Sequence, residues 1–404
     1  MAAGRVLLAT GVTGSELGVL VDHLSRGLGV EAYKFEQLVE EEFKAPIFYA
    51  IELLMVDRRR VLDKFRRVFE YLAGEVSRTD AAIIALHLTY HRRRHIVPNP
   101  VLAWLRELGA RLSVVYYVED YYHALVRVAE RVARGATPSV AGGQMLDPLG
   151  LLYWRAADQS ILSLLEARGV ETYVMGNKHP GETHLRLAAH LLGREYGGVE
   201  RFRTAYVSHP ITLVKKRAAS EGAPINTYPD ALEIEGFKER LTRSCRDLIV
   251  FSPTSIDELI LDGKGELKRI IRAEDRWPYP RTVVHKDYRF PVNLEDEVFD
   301  RFLYPVRETV RSRGYMRVVK GLIEAQIESR DLSYVTQSDM VIAYRPTMYK
   351  TLHQGVETEI RTATAQAKPV YAVIPAEEAE LDYKLFRFWY QLGGVDELLH
   401  ALHC

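Results

Sequence analysis

The sequence predicts an α/β protein built from two doubly wound, mainly parallel sheets in tandem. Three observations lead there. Short apolar runs alternate with amphipathic stretches of helical period, the pattern of strands covered on both faces by crossover helices. The alternation stops at a loop-rich stretch, residues 195–199, and then restarts. At 404 residues the chain also exceeds what one hydrophobic core usually organises.

In the first half, residues 1–200, the run 6–9 reads as a buried strand, 11–18 as a glycine-punctuated turn and 19–28 as a helix. Further strands are expected at 81–86, 112–118 and 171–175, with helices at 58–74, 121–133, 158–168 and 185–192. The second half, residues 201–404, repeats the scheme. Strands are expected at 204–208, 247–251, 340–344 and 370–374, and helices at 234–245, 299–313, 315–329 and 356–366. Residues 264–291 are polar, proline-bearing and aperiodic, and read as a long loop or insertion. The boundary falls near residue 200.

Composition narrows the classes. Apolar residues are 47% and charged residues 27%, which excludes a disordered or collagen-like chain. Lys+Arg and Asp+Glu both number 54, so a nucleic acid would find only a local basic patch. Two cysteines, Cys245 and Cys404, are too few for a disulfide framework or a thiolate zinc site, and a reduced, cytoplasmic chain is expected. No apolar run approaches the 18 residues of a membrane span. Only 4 Asn and 8 Gln occur beside abundant Arg and Glu, a composition typical of thermophiles.

The turn Gly11-Val-Thr-Gly14-Ser15-Glu16-Leu17-Gly18 lies between strand and helix, where backbone N–H groups and the helix dipole hold phosphate. It resembles the phosphate loop of adenylate-kinase-type P-loop enzymes, with Gly11 and Gly14 in place and Ser15 beside them in a degenerate loop. The resemblance puts that family's glycine, lysine and Ser/Thr at Glu16, Leu17 and Gly18. An acid, an apolar side chain and a missing hydroxyl replace the parts that position a triphosphate and Mg²⁺. Phosphoryl transfer depends on those parts, so kinase or ATPase activity is not expected.

His87, His91 and His95 are spaced four apart, which on a helix would align three imidazoles. They follow a strand and flank Arg92-Arg-Arg94, so an anion-contacting or solvated loop fits better than a metal site. His400 and His403 lie where chains commonly fray. No metal and no organic cofactor are expected.

The second half carries Arg330-Asp331-Leu, then Asp339 opening a strand, Gly355-Val-Glu357-Thr-Glu359 on the next helix, and Lys368-Pro-Val in the following strand. Gly355 and Glu359 thus lie beyond the carboxyl end of a strand, where parallel sheets bind ligands. These residues resemble the nucleoside 2-deoxyribosyltransferases, and among them the 2′-deoxynucleoside 5′-phosphate N-hydrolases, over residues 203–375. The resemblance implies a Rossmann-like fold and a nucleoside or nucleotide substrate. It makes Glu359 the nucleophile at the anomeric carbon and Asp331 the acid that protonates the leaving base. It also places Ser208, His209, Thr212, Asp339, Gly355 and Arg361 around the substrate, and implies a homo-oligomer. Lys215-Lys-Arg217 is a candidate anion clamp.

The simpler readings are that Asp339 caps a strand turn, Glu357 is a solvated acid, and Ser255 with Glu258 caps a helix. Two functions stand side by side. One is an N-glycosidase or deoxyribosyltransferase. The other is a non-enzymatic nucleotide-sensing or macromolecule-binding protein made from an inactive kinase fold and a degenerate glycosidase fold.

Overall fold

The computed structural model describes residues 4–92, 95–133, 148–256, 258, 270–278, 282–285, 292–293, 313–346, 354–374 and 389–404. Its strands are β1 (Arg5–Thr10), β2 (Glu31–Lys34), β3 (Ala81–Ala85), β4 (Thr89–Arg92), β5 (His95–Pro98), β6 (Arg111–Val118) and β7 (Glu171–Gly176), then β8 (Arg203–Ser208), β9 (Leu248–Phe251), β10 (Ile270–Ile271), β11 (Val292–Asn293), β12 (Met340–Tyr344), β13 (Val370–Val373) and β14 (Trp389–Leu392). The main helices are α1 (Leu17–Leu28), α2 (Phe35–Phe43), α3 (Ile47–Val56), α4 (Arg58–Val76), α5 (Tyr121–Ala133), α6 (Pro148–Glu166), α7 (Gly181–Leu192), α8 (Ile211–Ser220), α9 (Pro229–Ser244), α10 (Arg313–Gln337), α11 (Gln354–Ala365) and α12 (Val395–Ala401).

Two five-stranded sheets result, in the orders β2-β3-β1-β6-β7 and β14-β13-β12-β8-β9. Every ladder within them is parallel, as strands joined by crossover helices must be. The central strand β1 is buried from Val6 onward, and α1 covers it with Leu17, Leu20, Val21 and Leu24, one stripe at helical spacing. That helix ends at Gly29, whose φ of 63° is left-handed and whose N–H reaches Ser25.

One apolar cluster runs through both halves, from Leu7 and Phe65 to Phe251, Tyr334 and Val341. The contact between the halves is also specifically hydrogen-bonded. Gln337 on α10 donates to the carbonyl of Val174 at 2.8 Å and accepts from its N–H at 2.9 Å, and so occupies the outer edge of β7. Arg186 on α7 donates to the carbonyls of Cys245, Leu248 and Thr242, where α9 ends.

Several expectations change. Cys245 and Cys404 form a disulfide rather than two free thiols. It ties the tail holding His400 and His403 onto the end of α9, with Leu398 and Leu402 buried, so that tail does not fray. His91 and His95 lie on an antiparallel hairpin, and His87 just precedes it, so their spacing aligns nothing. His91 instead stacks on Trp154, with ring centroids 5.8 Å apart. Strands β2 and β14 and helices α2, α3 and α12 add to the elements read from the sequence. Within 264–291 the described residues hold β10, which pairs antiparallel with β11, and a short 3-10 turn at Ala273–Asp275. The helix expected at 299–313 lies outside the described residues except for its last residue.

Candidate active site

The second sheet reverses its winding between β8 and β12, because β9 lies on one side of β8 and the later strands on the other. The crevice beyond the carboxyl ends of two such strands is where open α/β sheets take ligands. Tyr206 and Ser208 are two residues apart on β8 and therefore point to the same face. On α11, Val356, Ile360 and Ala363 are the buried stripe, and Glu359 falls within it three residues after Val356. An acid in an apolar stripe is carried inward.

It meets its partners there. Glu359 accepts from the Tyr206 hydroxyl at 2.9 Å through one oxygen and from the Ser208 hydroxyl through the other. Asp331 comes from α10, one turn before the fully buried Tyr334, whose ring packs 5.9 Å from that of Tyr206. The buried Arg330 donates to Asp331 at 3.2 Å and also to the carbonyl of Pro253.

The charge of Asp331 reaches Glu359. Burial first, and then the negative field of Asp331, push Glu359 up to about 8 from its ordinary 4.5. The hydrogen bonds from Ser208 and Tyr206 oppose that rise. Burial raises Asp331 as well, and the Arg330 guanidinium holds its rise back. The site thus joins two acids with different environments, one cation, a phenol and a hydroxyl. Such a set can exchange a proton and present a carboxylate to an electron-poor carbon.

Other residues expected here lie elsewhere. Asp339 is at the opposite, amino-terminal edge of the sheet, where it accepts from the N–H of Thr204 at 2.8 Å and from its hydroxyl at 3.0 Å. Arg361 is exposed, two residues after Glu359 on α11. Thr212 and Gly355 are exposed in the first turns of α8 and α11. His209 is buried with its Nδ1 3.1 Å from the carbonyl of Val207 and its ring against Trp277, and burial pushes it well below its usual value, so it is neutral. In the candidate clamp, Arg217 donates to Glu221. Ser255 and Glu258 do not cap together. Ser255 donates to the carbonyl of Ser252, and Glu258 accepts from Arg155 at 2.7 Å and from the N–H of Tyr121.

The corresponding edge of the first sheet is occupied by its own chain. Gly14 has φ 90° and packs so closely that a Cβ would lie 2.8 Å from backbone atoms of Ala124 on α5. The carbonyls of Gly14 and Ser15 accept from Arg127 and Asn177, while the Ser15 hydroxyl donates to Val12. A Cβ on Gly11 would come closer still, 2.5 Å from the carbonyl oxygen of Tyr117. Glu16 is paired with Arg131.

Beside this loop is a buried ion cluster that sequence reasoning missed. Glu119, Asp120 and His123 bring ligand-type atoms within 4.8 Å of one another, the spacing of a metal centre. Each acid already has a cation: Arg127 lies 2.6 Å from Glu119, and Lys178 and Arg276 lie 2.6 and 2.5 Å from Asp120. The cluster is therefore charge-compensated by protein, as a buried carboxylate requires. Only Glu119-Asp120 directly after a strand was visible in the sequence; Arg276 arrives from 156 residues away.

No family model matches the chain, and no curated protein does. Solved structures similar to part of it include a shikimate kinase from Bacteroides thetaiotaomicron, 15% identical, covering 46% of this chain and 98% of its own, with a TM-score of 0.29. A shikimate kinase from Acinetobacter baumannii in complex with shikimate is 18% identical and covers 46% of this chain and 89% of its own, TM-score 0.29. A putative kinase from Chloroflexus aurantiacus is 13% identical over 43% of this chain and 89% of its own, TM-score 0.30. Likenesses at this level say nothing about what this chain binds. The reading of the second half rests on its own residues.

Proposed function

We propose that the second half cleaves the N-glycosidic bond of a nucleoside or nucleotide, or exchanges its base, with Glu359 as nucleophile and Asp331 as acid partner. The observation that carries this reading is the burial of Glu359 between the hydroxyls of Tyr206 and Ser208 at the winding reversal of a parallel sheet, within reach of the negative field of Asp331 from another helix. The ionised Glu359 attacks the anomeric carbon as the C–N bond breaks. The bond's electron pair goes to the departing base, which takes a proton from Asp331. Water, giving its proton to the Asp331 carboxylate left by the first step, or a second base giving up its own, then displaces Glu359 from the sugar. Tyr206 and Ser208 hold the carboxylate and stabilise its charge. No metal enters this scheme.

The first half is proposed as a scaffold. Its glycine loop is packed by Ala124 and its acid edge is neutralised internally, which argues against phosphoryl transfer there. The resemblance of the second half adds the expectation of a homo-oligomer.

Binding without catalysis is favoured by one observation: both oxygens of Glu359 are already engaged by side chains. Incubating the protein with ribo- and deoxyribonucleosides and their 5′-phosphates, and following free base by chromatography, decides between the two. Base release that disappears in Glu359→Gln supports the glycosidase. No release from any member of the panel, at temperatures suited to a thermophile, leaves the binding reading.

A further inference from the structure

A helix packed on a core normally turns charged residues to solvent. The outward face of α3 is apolar instead. Its buried stripe is Ala50, Ile51 and Leu54, and it packs beside α2 and α4. Tyr49 and Val56, seven residues and so two turns apart, share the opposite face and are 49% and 78% exposed. Phe48, Leu53 and Met55 flank them, half-buried. The one charged side chain of the helix, Glu52, lies 2.7 Å from Arg92 of the β4–β5 hairpin and is neutralised there.

Cations stand at both ends of this helix. Arg58, Arg59 and Arg60 are exposed within four residues of Val56, and Lys44 is exposed three residues before Ile47. Arg60 meets Asp57 at 3.5 Å, a contact between exposed groups that holds its charge only loosely. Across residues 44–70 seven cationic side chains stand against four acids.

This combination selects among partners. A second copy seated on the same face by a two-fold axis would bring the arginines of two molecules together, which is unfavourable. The face is the convex side of a helix rather than a groove, so it does not enclose a peptide. A bilayer with anionic headgroups matches both features. Each basic residue near such a surface strengthens binding by about fivefold, and aromatic and apolar side chains settle at the headgroup boundary. The ten residues of α3 are half of the about 20 that a span needs, so the helix lies on the surface.

We propose that α3 is a peripheral membrane-docking element. It lies flat on an anionic bilayer, with Phe48, Tyr49, Met55 and Val56 entering the headgroup boundary and Lys44, Arg58 and Arg59 meeting lipid phosphates. This docking uses none of the residues around Glu359 and does not depend on the reaction proposed there.

Flotation of the full chain with lipid vesicles tests it. Vesicles of phosphatidylcholine and phosphatidylglycerol in equal parts should carry the protein, and pure phosphatidylcholine should bind it about tenfold or more weakly. Added salt should weaken the binding to anionic vesicles. Arg58→Gln combined with Arg59→Gln should lower affinity by about tenfold or more. Tyr49→Ser combined with Val56→Ser should lower it severalfold. Four results would overturn the proposal. They are no flotation with either vesicle, equal flotation with both, full binding in either double variant, or a dimer in sedimentation that Tyr49→Ser with Val56→Ser dissolves while flotation is unchanged, which would make the face a contact between copies.

Discussion

Glu359 is an acid set into an apolar helical stripe beside Val356, Ile360 and Ala363, and its chemistry follows from that position. Replacing it by glutamine keeps the shape and both hydrogen-bonding neighbours but removes the nucleophile. Base release should then fall by about a thousandfold or more, measured as turnover at saturating substrate. Its pH dependence has a definite sign. With the folded carboxyl pushed up to about 8, the ionised form is scarce in acid, so base release should rise with pH towards that value and fall again once Asp331 has lost the proton it gives the base. Stability runs the other way. Between its ordinary 4.5 and about 8 the folded protein keeps a proton that the unfolded chain gives up, so this residue's contribution is lost as pH rises through that window. Denaturant unfolding of Glu359→Gln should therefore lose less stability from pH 5 to pH 8 than the parent. An unchanged slope would mean the carboxyl is not raised. Asp158 behaves alike: burial pushes it up to about 8, and it accepts from Thr89 at 2.6 Å. Asp158→Asn, close to the neutral acid in shape, should cost less than about 1.5 kcal/mol. The acidity of Glu359 within its stripe was legible in the sequence. That Asp339 belongs to the far edge was not, since only strand pairing shows which end of a sheet a residue occupies.

At the scale of elements, the glycine loop and α5 form one packed unit. Gly14 combines a left-handed φ with a helix backbone where a Cβ would go, so Gly14→Ala should destabilise by about 3 kcal/mol in denaturant melts. Gln337 serves β7 in place of a sixth strand. Gln337→Leu would strip Val174 of both partners and should cost about 1–3 kcal/mol by the same measurement. The long, evenly apolar strands and amphipathic helices were legible because burial on both faces leaves a continuous apolar run. β2 was not: Glu-Ala-Tyr-Lys is an outer strand of its sheet with no apolar run to mark it. Strand β14 and helix α12 escaped for a related reason, since their place depends on β13 and on a bond to Cys245 far back in the chain. The turn at 253–258 reads as a helix cap locally, yet Glu258 is claimed by Arg155, 103 positions earlier.

For the molecule as a whole, the two halves share one apolar cluster and a set of buried hydrogen bonds and ion pairs. Unfolding should accordingly be a single cooperative transition in calorimetry rather than two. Arg186→Met, which leaves the last carbonyls of α9 without their donor, should lower its midpoint by several degrees. The tandem α/β plan was legible from the restart of the strand–helix rhythm, whereas the contact surface was not. Arg276 meets Asp120, and Gln337 meets Val174, across separations that no local pattern encodes. The cysteines carried equally little signal, two residues 159 positions apart that meet only once the second sheet is complete. Their bond changes what a cut in the backbone can do. Everything from Cys245 to Cys404, both proposed catalytic helices included, is a covalent ring. A protease that severs the peptide chain once anywhere inside it releases no fragment. The nicked protein should run as one band on a denaturing gel until reductant is added, and as two bands afterwards.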